Sequence, residues 1–491
     1  RRARKAKQMQ LHLVAHENAY PHKAALVIVC LYLIFAPVWG PGISPRLYDD
    51  ARYLELGLLA LVVVQLLLRP VADALLYGWK SLGRIPRALI VTLLAGGALS
   101  AWVSPSAQLG ALEIGLVMQL VILFLAVSGA VRDGRLHAET LLSIAVCSGA
   151  ALFVLKFWLR WFLYLSEGKL FPWLSPFQDF ANVRFFSQYQ AYSLFLIMLP
   201  AFLLRLTWTW RIVIYIIAAN FWSLQWMVGA RGVWAGFAAA AVMVLVFAKN
   251  GRLAWLREQA LVVSAGGLIS LLFLRFIDST PGASTVPKMM SIVERGQDSI
   301  WERIALWGDA LEFIQAHPLL GVGPGQFGLQ DYLTNAAHPH NVPLQLLSEY
   351  GIVAGVAGIG LGIILVLSAS RLLRARTSNA PDPVSVSVAA ALVMGLTDSL
   401  FSGNLIMPHS QVLFCVVAGW LIGRAQPAAP RATIDSPPSR TLQLTLVSTA
   451  MLATAITTVL AVGYFFTVQD MPLGLLRWNP HFWQYGRFAA W

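Results

Sequence analysis

Long apolar runs recur along this chain, and they set what it can fold into. A helix needs about 20 mostly apolar residues to cross a bilayer, and lipid offers no water to satisfy exposed backbone groups. Such runs lie at residues 24–40, 53–68, 88–103, 109–130, 140–160, 187–204, 212–229, 233–248, 259–276, 346–369, 384–402, 411–423 and 441–467. A soluble core would have to bury run after run of about 18 or more apolar residues, which soluble folds do not do. Composition agrees: 12% of the residues are charged, against roughly 25% in an ordinary soluble domain. The expectation is an all-α polytopic membrane protein with about 12–13 transmembrane helices; the smaller number applies if the short run 411–423 is re-entrant.

Net charge is +13. In a soluble chain that would suggest nucleic acid as partner. Here the basic residues occupy short loops between apolar runs: Arg69, Lys80, Arg84 and Arg87; Arg132 and Arg135; Arg205 and Arg211; Lys249, Arg252 and Arg257; Arg371, Arg374 and Arg376; Arg424 and Arg431. All of these loops fall on one side of the span pattern, together with the basic cluster Arg1 to Lys7. That is the positive-inside pattern, which sets orientation and implies membrane lipids, not nucleic acid, as surroundings. The N-terminus reads as a cytoplasmic anchor, because no small-residue cleavage site follows the first apolar run. Cys30, Cys147 and Cys415 lie inside apolar runs with no metal or disulfide spacing.

The opposite loops are therefore the outer ones. Most are very short, but 166–186 and 277–345 are not. An uncommonly long loop is usually functional or disordered, and 277–345 carries a helical pattern from Trp301 to Ile314 and the turn Gly321-Val322-Gly323-Pro324-Gly325. The chain divides into N-terminal spans (1–276), a large outer loop with the chemical motifs (277–345), C-terminal spans (346–467) and an interfacial tail (468–491). No internal repeat supports the inverted-repeat design of secondary transporters.

The strongest local signal is His338-Pro339-His340-Asn341, followed by Leu344-Gln345 and Glu349-Tyr350-Gly351 where the long loop enters the next span. Upstream lies His317-Pro318-Leu319-Leu320-Gly321-Val322-Gly323-Pro324-Gly325. Arg231-Gly232 sits in a very short outer turn, against the charge bias, and Arg184 to Gln190 opens the sixth run from the outside. A carboxylate at the depth of Glu349 is costly unless paired or functional, and Gln345 faces the same way by the i, i+4 rule. Asp398 and Lys156 stand near outer span ends, where either would line a polar cavity or sit in the interface. Phe171, Trp173, Phe177, Phe180, Phe185, Phe186, Trp301 and Trp307 crowd the outer side, and an interfacial aromatic belt accounts for most of them.

Together, the P-x-x-G-x-G turn, the H-x-H-N cluster and the L-Q-x-x-x-E-x-G helix start resemble the superfamily of O-antigen ligases, O-antigen polymerases and bacterial O-oligosaccharyltransferases. The Arg-Gly pair matches as well. Phe186-Ser187-Gln188-Tyr189-Gln190 is similar to the family's F-x-Q-x-N segment, with Gln190 in place of Asn. The resemblance covers roughly residues 180–360.

It implies a glycosyltransferase of the bacterial inner membrane with its site facing the periplasm. The donor would be a glycan on undecaprenyl diphosphate and the acceptor lipid A-core, a second carrier-linked unit or a protein hydroxyl. The ligase is preferred, since many protein-directed members carry a sizeable soluble C-terminal domain and this chain ends soon after its last span. Arginine suits a diphosphate, being permanently charged and able to bind its oxygens bidentately. Arg231 and Arg303 are the first candidates, then Arg184 and Arg295, with Gln188, Gln190, Asn341 and Gln345 as further substrate contacts. A neutral imidazole takes the acceptor's proton. His340 is preferred for that over His338, with Glu349 as a third catalytic candidate. No third ligand accompanies the two histidines and no Asp-x-Asp appears in the outer loops, so no metal and no cofactor are expected. The competing reading is a transporter for an anionic lipid-linked substrate.

Overall fold

A computed structural model of the chain describes residues 22–40, 42, 47–169, 175–180, 182–248, 251–278, 290–329, 338–374, 382–426 and 439–469. The N-terminal basic cluster, the tail beyond 469, Phe171, Trp173, Lys249, Arg376, Arg431 and the side chain of Arg295 lie outside the described residues.

Among the described residues the chain is all-α, with no strand. It opens with α1 (Lys23–Phe35), α2 (Leu47–Val64), α3 (Arg69–Ser81), α4 (Arg84–Val103), α5 (Ala107–Asp133) and α6 (Arg135–Ser166). It continues with α7 (Val183–Ser193), α8 (Leu199–Leu203), α9 (Trp208–Val228), α10 (Arg231–Phe247), α11 (Arg252–Asp278) and α12 (Met290–Ala316). The last four are α13 (Val342–Arg374), α14 (Pro383–Asp398), α15 (Pro408–Ala425) and α16 (Arg440–Gln469).

Seven of these, α4, α5, α6, α9, α11, α13 and α16, are long and apolar enough to cross a membrane, and the pair formed by α2 and α3, bent by 105°, is either a broken eighth span or a re-entrant loop. The expected spans at 24–40, 233–248 and 384–402 fall on shorter apolar helices. The run 187–204 is divided between α7 and α8. The weakest run, 411–423, lies in α15, whose side chains are nearly all buried. A helix enclosed by other helices need not face lipid, so it carries polar residues that blur its hydropathy.

The central helix is α5, packed between α4, α15 and α16. Contact with α15 is close because Gly419 and Gly423, spaced as in G-x-x-x-G, face the α5 backbone. A Cβ on them would fall 2.7 Å from the Phe124 carbonyl and 2.6 Å from the Ser128 carbonyl. Small residues at that spacing let helices meet backbone to backbone. The aromatic belt expected on the outer side is corrected for four residues: Phe177, Phe180, Phe185 and Phe186 are buried. Phe153 stacks on Phe186 at 4.4 Å and meets Phe180 edge-on at 5.7 Å. Burying aromatic area inside the bundle is favoured over leaving it at the interface because it also gains ring–ring geometry.

Basic loops gather at one end of the bundle. Arg135 donates to the Arg424 and Gln426 carbonyls at 3.2 Å, Ser81 reaches Gln426, and Arg424 pairs with Glu139 and Asp382. The turn after α9, the loop before α13 and the loop after α14 lie at the other end, as the connectivity of the long helices requires.

Candidate functional site

The loop after α12 is built into a break in α13. Gly351 has φ 76° and ψ 173°, so the helix is interrupted there. The interruption frees carbonyls that the upstream turn uses: Val322 N–H donates to Ser348 O at 2.9 Å and Gly323 N–H to Glu349 O at 3.0 Å. Pro318 O in turn accepts from Ile352 N–H at 2.9 Å. The approach is close enough that a Cβ on Gly351 would fall 2.2 Å from the Leu319 carbonyl, and one on Gly321 2.5 Å from that of Glu349. The glycines of the two motifs are thus spent on one crossing of backbones.

Glu349 is buried at that crossing. Its carboxylate accepts from Phe327 N–H at 3.3 Å, from the Gly325 backbone and from Gln345 Nε2 at 3.2 Å. The expected partner was an arginine or a histidine; backbone donors and Gln345 serve instead. Gln326, also buried, donates to Ser104 Oγ at 2.6 Å and Ser106 O at 2.7 Å. That ties the same turn to the start of α5.

The two histidines follow. Asn341 caps α13: its Oδ1 accepts from Leu344 N–H at 3.0 Å, and its Nδ2 donates to Leu400 O at 3.2 Å. Just before it, His340 has φ 51°, and among the described residues no other non-glycine has positive φ. His340 N–H donates to His338 Nδ1 at 3.1 Å, with the two ring centroids 4.2 Å apart. Trp307 of α12 donates its Nε1–H to Pro339 O at 3.0 Å. The charges acting on the His340 imidazole are Arg184 and Arg303. Burial first, then those two arginines, bring its pKa down to about 4.

Arg184 starts α7, Arg231 starts α10 and Arg303 lies on α12, so three distant parts of the chain bring their guanidinium groups together. Burial and then the charges of Arg184 and Arg231 push the Arg303 pKa down, while Asp398 and Glu302 oppose the shift. The Arg-Gly pair has a geometric reason. Gly229 ends α9 in the left-handed conformation (φ 64°), which reverses the chain within two residues and sets Arg231 first in α10. Next to it, a Cβ on Gly232 would fall 2.3 Å from Asp398 Oδ1. Asp398 is buried, and its Oδ2 accepts from Ser402 Oγ at 2.6 Å and Asn404 Nδ2 at 3.0 Å.

The remaining candidates do not converge there. Gln190 is fully buried and donates to Phe221 O at 2.8 Å, which makes it a helix-packing residue. Gln188 is buried too. Lys156 pairs with Asp179 and donates to Val38 O at 3.2 Å. Sequence reasoning left Asp398 open and missed Ser402, Gly403 and Asn404; an acid followed at i+4 and i+6 by Ser and Asn is a signal for a self-bonded loop. It also missed Arg52, buried on α2 and bonded to Glu55 Oε2 at 2.5 Å and Gln411 Oε1 at 2.7 Å. Arg52, Glu113, Gln345, Glu349 and Gln411 line one part of a cavity of 1110 Å³ whose other walls, from Ile85 to Leu120 and along α13, are mostly apolar. Among the described residues no group of three His, Cys, Asp or Glu is placed to hold a metal ion.

Residues 226–359 match a family described as O-antigen ligase. The match, over roughly a quarter of the chain, supports a likeness to the O-antigen ligase superfamily. The matched region holds Arg231, Arg303, His338, His340, Glu349 and Gly351, while Arg184 and Asp398 lie outside it. It indicates a function of the ligase or polymerase type. No curated protein matches the chain.

Proposed function

We propose that this protein is a glycosyltransferase that moves a glycan from undecaprenyl diphosphate to lipid A-core at the periplasmic face of the bacterial inner membrane. The observation that carries this reading is that Arg184 and Arg303 both bear on the buried His340 imidazole, with Arg231 bearing on Arg303. Arg184 and Arg231 each repel the Arg303 cation, and a diphosphate bound there offsets that repulsion. A large cavity with mostly apolar walls, which reaches Val342, Gln345 and Leu400 but is not lined by these arginines or by His340, suits a lipid-borne substrate.

The acceptor oxygen attacks the anomeric carbon, the bond from that carbon to the diphosphate oxygen breaks, and the acceptor's proton passes to His340. The electron pair leaves with the diphosphate, whose growing charge the arginines stabilise. A pKa held near 4 keeps His340 neutral at pH 7, so its imidazole has a free lone pair. Direct displacement of this kind inverts the anomeric centre. Asp398 opposes the arginines' mutual repulsion, and Asn341 fixes the start of α13 beneath His340. The same site serves a polymerase or a protein O-oligosaccharyltransferase, which differ only in the acceptor hydroxyl.

The test offers purified protein an undecaprenyl-diphosphate-linked glycan with lipid A-core or pilin, separately. We expect transfer to lipid A-core, lowered by on the order of 10²-fold or more in Arg231→Ala and His340→Ala. Transfer to pilin alone moves the acceptor to protein. No transfer at all from folded parent protein favours the transporter. Activity is expected to survive EDTA; loss restored by a divalent ion would end the metal-free mechanism.

A further inference from the structure

We propose that His338 is a positioning residue: its Nδ1 holds the His340 backbone in the left-handed turn that presents the His340 imidazole to the arginines. The inference rests on the reading of His340 given above and goes beyond it.

The hydrogen bond decides the chemistry of the ring. Nδ1 of His338 accepts from His340 N–H at 3.1 Å. A nitrogen that accepts carries no proton, so the neutral ring holds its proton on Nε2. Neither nitrogen then has a lone pair free to take the acceptor's proton. Protonating Nδ1 would break the bond, since two N–H groups would face each other. In this geometry His338 cannot be the base.

Its surroundings are those of a part held in place. The side chain is 1% exposed. Its ring packs against Gly403, where a Cβ would fall 2.2 Å from Cε1 and 2.3 Å from Nε2. Pro339 between the histidines is tied by Trp307, and Asn341 after them by Leu400 and Leu344. The segment is anchored on both sides, and the His338 bond closes it over a residue whose φ of 51° is uncommon for any residue but glycine. A side-chain acceptor bonded to the N–H two residues on is the geometry of an Asx turn. Asparagine places its Oδ1 on the same branch, one bond beyond Cγ, as histidine places Nδ1. Asparagine therefore supplies the acceptor without an imidazole.

The test measures glycan transfer by the full chain with His338→Ala, His338→Asn, Gly403→Ala and the double variant Gly403→Ala with His338→Asn. The loss of a positioning bond is expected to cost on the order of 10²-fold in kcat for His338→Ala, with KM for the donor little changed. His338→Asn should restore most of the rate and leave the pH profile that of the parent. Gly403→Ala should impair the enzyme by displacing the ring, and His338→Asn should relieve it. The proposal is overturned if folded His338→Asn protein is as inactive as His338→Ala, because the imidazole itself is then required. It is also overturned if His338→Ala transfers glycan at the parent rate. Where His338→Ala is not recovered folded, the comparison of His338→Asn with the parent decides alone. Failure of the underlying function reads differently: the parent itself transfers nothing.

Discussion

His340 sits between two influences of the same sign. Burial disfavours its cation, and Arg184 and Arg303 disfavour it further, which takes the pKa down to about 4. In the proposed mechanism the working form is the neutral base, so protonation is expected to stop the reaction. We expect kcat/KM, which reports the free enzyme, to be flat from about pH 5 to 8 on its acid side and to fall only near pH 4. Bound diphosphate brings negative charge to the arginines and offsets their effect on the imidazole. The acid limb of kcat should therefore lie at higher pH than that of kcat/KM. The same logic predicts that Arg303→Ala moves the limb of kcat/KM upward, since one repelling charge is gone. The charged neighbours that bear on this are Arg184 on α7, Arg303 on α12 and, acting on Arg303, Asp398 on α14 and Arg231 on α10. An acid limb near 6.5 in both parameters, the ordinary histidine value, would mean that burial and the arginines do not hold this imidazole down.

At the scale of elements, the site is made where α13 is interrupted. A continuous helix would keep the carbonyls of Ser348 and Glu349 for itself; the break at Gly351 turns them toward Val322 and Gly323. The glycine is needed twice, for a φ of 76° and for a Cβ that would press on the Leu319 carbonyl. Gly351→Ala is expected to destabilise the fold by on the order of 2 kcal/mol or more. Gly362, further along the same helix, has nothing within 4 Å of its Cβ position. Gly362→Ala should be neutral or slightly stabilising, by up to about 1 kcal/mol. Thermal unfolding of the two variants side by side checks this, and equal melting temperatures would contradict the account of the break.

At the scale of the molecule, the bundle separates a basic end from an end that carries the arginine and histidine site. If the positive-inside rule governs it, the site end faces the periplasm. Leu319 is exposed at the site end and Leu136 at the basic end, while Cys30, Cys147 and Cys415 are all buried. Leu319→Cys should react with a membrane-impermeant maleimide applied from the periplasmic side, and Leu136→Cys only after lysis. The reverse pattern would put the site in the cytoplasm and remove the proposed donor from its reach.

The sequence by itself determined the membrane class and the sharing of one end by the basic loops, and it singled out the H-x-H-N, Arg-Gly and glycine-turn segments. These are legible because hydropathy, charge bias and glycine are local properties. Even the i, i+4 bond between Gln345 and Glu349 could be read from spacing. What pairs with what could not be. Glu349 found backbone N–H groups in place of a cation, and Gln190 a carbonyl on α9 in place of substrate. Asp398 found a place against Gly232, across more than 160 residues of chain. The outer phenylalanines went inward, and α15, weakest by hydropathy, is enclosed by the bundle. Each of these depends on which helices pack side by side. In a bundle whose lipid-facing surfaces are all alike, that is decided by backbone approach at small residues and by the partners that buried polar groups must find, and neither is a property of any one segment.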